Sequence, residues 1–288
     1  MMLFNKFKDY LSFEKKFAAN TIAAYLRDIN DFQKFLNDNG TKISKEINYS
    51  FIRHWIVVLS EKKYSKISIN RKIASLKSYF DYLVNIEIIN SSPLKGHKNL
   101  KSSSKIVIPF SEKEIDQVFE NFKSSDINNR DKLMIEIFYS TGIRRDELIN
   151  IKLVDILFDD RVIKVTGKRN KQRMIPMLPN LSSNITDYIN NSDPKIYLFE
   201  SKKSKKLSTS TIYRVINKYF RSVSSKVKIS PHVLRHTFAT HMLNNGANIN
   251  TIKEILGHAS LSSTQIYTKI KLPKIVRDYN KSHPREID

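Results

Sequence analysis

The sequence predicts a mainly α-helical chain in two domains, the second carrying one small antiparallel β-sheet. Three observations carry that expectation. Apolar residues recur at helical spacing along most of the chain, a β-rich run is confined to residues 162–177, and a polar stretch divides the chain near residue 100. The length of 288 residues suits two domains, and a hydrophobic content of 40% is enough to build a core in each.

A first domain is expected over residues 1–90. Leu3 to Phe17 reads as an opening helix. Ile22, Tyr25, Leu26, Ile29, Phe32 and Phe35–Leu36 then form a helical stripe over 21–36, with Asn20 as its candidate cap. A third helix is centred on Trp55, and a fourth runs from Ile69 to Ile86 with Ile73, Leu76, Phe80 and Leu83 on one face. Residues 91–107 are expected as a linker, because Ser91-Ser92-Pro93, Lys95-Gly96 and Lys101-Ser102-Ser103-Ser104-Lys105 break the periodicity.

The second domain is expected over 108–288. Ser111 and Glu114 have the spacing of a capping box ahead of Ile115, Val118 and Phe119. A helix over 130–140 should end at Thr141-Gly142. Val162–Thr166 and Arg173–Met177 read as strands joined by the polar turn Gly167-Lys168-Arg169-Asn170-Lys171. Helices follow at 180–190 and 209–223. Ser230-Pro231 should cap and open another that stops at Gly246, and Ile249–Leu256 should stop at Gly257.

The charge balance narrows the partners. Lys and Arg number 50 against 28 Asp and Glu, a formal charge of +22. Residues 1–105 carry 19 basic and 9 acidic side chains, so the excess is not confined to one tail. A polyanion is the expected partner, nucleic acid ahead of an anionic membrane, because pairing phosphates with cations releases condensed counterions. A Lys-, Asn- and Ile-rich composition also fits an AT-rich genome, which accounts for part of the excess. There is no cysteine, so disulfides, Cys-ligated zinc and thiol nucleophiles are excluded. No leader and no apolar run of about eighteen residues is readable, and a cytoplasmic location is expected.

Five segments of the second half pair a phosphate-compatible group with a structural signal. Arg144 follows the helix stop Gly142. Lys168 sits in the turn between the strands. His232 and Arg235 share one face of the helix opened by Ser230-Pro231, near an anion-favouring N-terminus. His258 follows the stop at Gly257, and Tyr267 lies nine residues further on. Each alone has an ordinary reading, as a solvated surface cation, a satisfied histidine or a core tyrosine. Two rivals fail on spacing. A P-loop would need Gly where Val162 stands and Ser or Thr where Arg169 stands. The i, i+4 pair His232 and His236 lacks the Glu of a zinc-hydrolase helix, having Val233 there, and Arg235 between them would repel a cation. Together the six side chains form a kit for phosphoryl transfer: guanidinium forks for non-bridging oxygens, a phenol to attack, and Lys or His to handle protons.

In order and spacing, residues 108–270 resemble the tyrosine recombinase (phage integrase) family. Gly142-Ile-Arg144-x-x-Glu147-Leu148 resembles its first Arg box, Gly167-Lys168 with Asn170-Lys171 its β-hairpin Lys segment, His232-x-x-Arg235-His-Thr its second box, and Leu256-Gly257-His258 through Tyr267 its third. One departure is Arg145-Asp146, where the family commonly has an apolar residue and Ser. The resemblance implies an N-terminal SAM-like core-binding domain and a C-terminal α+β catalytic domain. It implies Arg144 and Arg235 clamping the scissile phosphate, His258 hydrogen-bonding it, Lys168 as general acid, His232 as acid/base support, and Tyr267 forming a 3′-phosphotyrosine. No metal, ATP or other cofactor is implied.

It further implies double-stranded DNA with a dif-like site as substrate, bound by a homo- or hetero-tetramer, with a paralogous Xer subunit and a DNA translocase as further candidate partners. The segment from 271 resembles a tail that docks on a neighbouring protomer. Helices beginning almost at Met1 favour the compact Xer type, which resolves chromosome dimers, over a large phage-type integrase with an added arm-binding domain, while a small mobile-element or integron-type recombinase of the same chemistry stays open. Related topoisomerase chemistry would be marked by relaxation of DNA without site dependence.

Overall fold

The computed structural model describes residues 2–41, 47–102, 107–122, 129–167, 171–201, 205–226, 228–257 and 272–286. The chain divides into two units, Met1–Lys105 and Ile106–Asp288, each with its own apolar core.

The first unit is helical. Helix α1 (Met2–Asp9) runs into a π-turn over Tyr10–Glu14, followed by α2 (Ala19–Asp38), α3 (Tyr49–Glu61) and α4 (Lys66–Asn85). Apolar stripes meet in the middle, where Phe32 of α2 lies 5.0 Å from Trp55 of α3 and 6.5 Å from Phe80 of α4, ring centre to ring centre. Burying one such side chain contributes roughly 1.5–3 kcal/mol. Asn48 and Ser65 cap α3 and α4 through side-chain bonds. Asn20 does not cap α2, because the helix already begins at Ala19 behind an extended Ala18, which puts Asn20 inside the first turn. The expected linker also departs from a free tether over its first part. Leu94 is buried, and Leu100 exchanges two 2.9 Å hydrogen bonds with the Asn70 side chain on α4.

The second unit opens with α5 (Glu112–Asn121), whose Ser111–Glu114 capping box is formed. Then come α6 (Asn129–Thr141), the single turn α7 (Arg145–Leu148), and an antiparallel sheet of β1 (Ile156–Leu157), β2 (Val162–Thr166) and β3 (Gln172–Pro176), in that spatial order. Val162 faces Pro176 and Thr166 faces Gln172, and Gly167 N–H donates to the Lys171 carbonyl at 2.7 Å to close the hairpin base. Helices α8 (Pro179–Ser192), α9 (Thr209–Phe220), α10 (Pro231–Asn244), α11 (Ile249–Leu256) and α12 (Leu272–Ser282) complete the unit. Helix α6 is the centrepiece, buried at every position from Leu133 to Thr141 and packed against α10. Such all-round burial requires apolar residues on every face. Ser230 stands before α10 as expected, but its hydroxyl makes no capping bond. Pro231 removes one orphan donor there instead.

Helix α12 and the turn after it pack on the second unit. Ile275 and Tyr279 of α12 are buried, and the Tyr279 hydroxyl donates to the Ser140 carbonyl at 2.6 Å. His283 is fully buried among the rings of Tyr139, Phe238 and Tyr279. The physical reason is the seat itself: α6 and α10 present an apolar and aromatic surface that this tail covers.

Burial, aided by the nearby Arg285 and His241 charges, pushes the His283 pKa down to about 4. The folded state therefore holds His283 neutral, whereas the unfolded chain protonates it below its ordinary value of 6.5. Its contribution is present above that value and lost as pH falls toward 4. We expect acidification across this window to cost the unit about 3 kcal/mol through His283. His283→Leu should flatten the pH dependence of the denaturation midpoint, and an unchanged slope would discount the effect.

Candidate active site

Three guanidinium groups converge on the last turn of α11. The final carbonyls of a helix have no intrahelical donors and form the negative end of its dipole. Here three consecutive ones are each taken by a different arginine. Arg173 Nε donates to the Ile255 carbonyl at 2.6 Å, Arg235 Nη2 to Leu256 at 2.5 Å, and Arg144 Nη2 to Gly257 at 3.0 Å. Gly257 ends the helix in the left-handed conformation, φ +62°, and a Cβ there would lie 2.9 Å from Arg173 Cδ. Only glycine permits both the turn and the close arginine.

Local sequence explains how each arginine arrives. Gly142, at φ +58°, turns the chain out of α6 where a Cβ would come within 2.4 Å of Phe238, and its carbonyl accepts from Arg235 Nη1 at 2.6 Å. Ile143 is buried, which sets Arg144 as the residue before α7. Arg235 lies on the buried face of α10, and Arg173 on the inward face of β3 beside Ile175.

One carboxylate balances the cluster. Glu147 receives both Nη atoms of Arg173 at 2.7 and 2.8 Å, Arg144 Nη1 at 2.8 Å, and the Arg144 backbone N–H at 2.9 Å. Burial alone would raise its pKa, but the arginine bonds and charges outweigh that and hold it at about 2. Glu147 is therefore a carboxylate throughout the neutral range. Arg235 is 7% exposed, and burial together with the Arg144 and Arg173 charges brings its pKa down to about 9, still a full cation at neutral pH. Arg144 differs in that its side chain is 41% exposed. Three cations against one carboxylate leave the cluster positive, with an exposed guanidinium edge at Arg144 and a buried one beside it. That arrangement suits a tetrahedral oxyanion.

His232 is exposed in the first turn of α10, one turn before Arg235. Partial burial and the Lys228, Arg235 and His236 charges lower its pKa from 6.5, which favours the neutral imidazole, a proton acceptor. Arg144 and Arg235 lie side by side at the end of α11, with His232 within electrostatic reach of Arg235. Lys168, His258 and Tyr267 lie outside the described residues. Among the described residues no group of three His, Asp or Glu side chains could hold a metal ion, and no helix is long and apolar enough to cross a membrane. Sequence reasoning missed Arg173. The available signal was a basic residue sharing a strand face with Ile175, which in a half-buried strand calls for a buried partner.

The family model described as Phage integrase family matches residues 109–272, and the phage integrase N-terminal SAM-like domain matches residues 4–86. The chain belongs to the phage integrase family. It is a site-specific tyrosine recombinase, and its relatives align end to end. Tyrosine recombinase XerC of Anoxybacillus flavithermus is 35% identical, covering 98% of this chain and 97% of the relative. Tyrosine recombinase XerC of Pediococcus pentosaceus is 34% identical over the whole of both chains. Among solved structures, a lambda integrase dimer bound to a core site shares the fold, with a TM-score of 0.73 at 17% identity, covering 93% of this chain and 98% of that one. Among the described residues the fold is mainly α with one small antiparallel sheet.

Proposed function

We propose that this recombinase cleaves DNA by attack of the Tyr267 hydroxyl on a backbone phosphorus, held by Arg144 and Arg235 with His258 as a further donor. The new bond joins Tyr267 oxygen to phosphorus as a 3′-phosphotyrosine, and the bond to the 5′-oxygen breaks. His232 takes the phenol proton and Lys168 supplies one to the departing 5′-oxygen. The ester stores the energy of the broken linkage, so a second strand's 5′-hydroxyl reverses the step without metal or ATP. One observation carries the reading. Arg144 and Arg235 are fixed on adjacent carbonyls, Gly257 and Leu256, immediately before His258 in the chain. Cations placed before charge develops need no reorganisation when it does.

The same reading gives the first unit the role of a core-binding domain and the substrate as double-stranded DNA held by four protomers that exchange strands in pairs. The charge of +22 and the DNA-bound recombinases among its structural neighbours support this. The end-to-end likeness to proteins called XerC favours chromosome-dimer resolution in the cytoplasm over a mobile-element role.

The test begins by selecting the preferred duplex from a random library with Tyr267→Phe protein. A nicked duplex carrying that site should trap the unmodified chain in a covalent complex that survives denaturant and EDTA. Tyr267→Phe should bind the site and form none. An adduct with Tyr267→Phe would reassign the nucleophile.

A further inference from the structure

The phosphate clamp is only as well aimed as the carboxylate beside it. Glu147 is buried and touches Arg144 at two points, through Nη1 and through the backbone N–H. Left with Arg144 as its sole cation, it would draw that guanidinium into a two-pronged pair, occupying its donors and offsetting its charge. Arg173 occupies the position that prevents this. Its Nη atoms engage both Glu147 oxygens, and its Nε is anchored to the Ile255 carbonyl. Its side chain is 6% exposed, against 41% for that of Arg144, so it cannot itself present an open face to DNA. The two arginines therefore divide the work: one satisfies the carboxylate from within, and the other keeps donors available outward.

We propose that Arg173 is a positioning residue for strand cleavage, acting through Glu147 to keep the Arg144 donors facing outward rather than captured in a closed ion pair, and through Ile255 to fix the end of α11 that leads into His258. The proposal rests on the phosphate clamp put forward above. Its geometric basis is a chain of contacts from β3 to α7 to α11, with each donor between 2.6 and 3.0 Å of its acceptor. Gly257 belongs to it, because any side chain there would collide with Arg173.

A mutant cycle on the selected nicked duplex, read as single-turnover adduct formation by the full chain, separates positioning from packing. Arg173→Met keeps the buried stem and removes the charge. Its cleavage should slow about tenfold to a hundredfold while site affinity stays within about threefold, as for lost outer partners of a reacting group. Adding Glu147→Gln removes the carboxylate that would otherwise capture Arg144. Arg173→Met/Glu147→Gln should therefore recover at least about tenfold over Arg173→Met alone, whereas two merely structural losses would compound.

Arg173→Lys retains the charge and guards against a folding failure of Arg173→Met. It should cleave at an intermediate rate, since Lys cannot supply the two-pronged bond. Cleavage by Arg173→Met or Arg173→Lys within threefold of the parent, or a double variant no faster than the single, would overturn the proposal. Normal cleavage by Arg144→Ala would instead overturn the underlying clamp, and so the two failures are distinguishable.

Discussion

Arg235→Ala is expected to slow covalent adduct formation by about two to three decades while leaving site binding nearly intact. On the proposed phosphate clamp, the magnitude follows from removing a preorganised donor set aimed at charge that develops only in the transition state. The stability effect should be much smaller, because two terms oppose each other. The guanidinium serves the Gly142 and Leu256 carbonyls, and its loss leaves both without that donor. The same group, however, is a buried cation crowded by Arg144 and Arg173, a cost visible in its pKa of about 9. Removing it relieves that repulsion and desolvation. We expect the melting temperature of the C-terminal unit to move by no more than about 4 °C. Single-turnover cleavage and calorimetry on the same preparation check the two halves. A loss of fold matching the loss of rate would make Arg235 a structural strut, and unimpaired cleavage would remove it from the site.

That split between function and stability bears on what the sequence made legible. Helices with one apolar stripe were readable from period alone: α4 carries Ile69, Ile73, Leu76, Phe80 and Leu83 on its buried face, as the spacing predicts. The Ser111–Glu114 box and the stop at Gly257 were readable because their chemistry is local. Arg144 was recognisable because it follows a glycine turn, and His232 and Arg235 because they share a helix face near its start. Lys168, His258 and Tyr267 rest on the order of motifs.

What was not legible is polar burial between distant segments. Glu147 and Arg173 are 26 positions apart, and nothing in either neighbourhood announces the other. Asp28, Asp31 and Lys72 look like the solvated face of two amphipathic helices, yet Asp28 and Lys72 are buried. The two candidate caps differ: Asn20 falls inside the first turn of α2, too late to cap it, whereas Ser230 does take the N-cap position of α10 but without a side-chain bond to the helix.

The Asp28 cluster gives the largest stability prediction. Asp28, on α2, is 1% exposed and accepts from four donors on α4 or its side chains: Arg71 Nη1, Arg71 Nη2 at 2.9 Å, Lys72 Nζ at 3.2 Å and Ser75 Oγ at 2.8 Å. Lys72 is also buried, reaches Asp31 at 2.7 Å, and lies over the rings of Trp55 and Tyr64 at 5.9 and 5.5 Å. Although burial lowers its pKa, the Asp31 and Asp28 contacts outweigh that and leave it raised above 10.5. The cluster's stabilisation through Lys72 is therefore complete at neutral pH and lost only as pH climbs past that value. Asp28→Ala would leave the buried Lys72 ammonium with one carboxylate and Ser75 with only the Arg71 carbonyl as acceptor. Breaking one side of a buried pair costs about 3–5 kcal/mol, more than the pair's net worth, because the orphaned charge stays desolvated. Asp28→Asn, which keeps the shape and part of the bonding, should cost less. The chain's single tryptophan, Trp55, is 2% exposed within the same unit, so its fluorescence reports this unit's unfolding separately from the other. Urea titration by that signal should show the midpoint falling steeply in Asp28→Ala. A midpoint within the error of the parent would mean that α2 and α4 are held by their apolar stripes alone, with the ion cluster contributing nothing net.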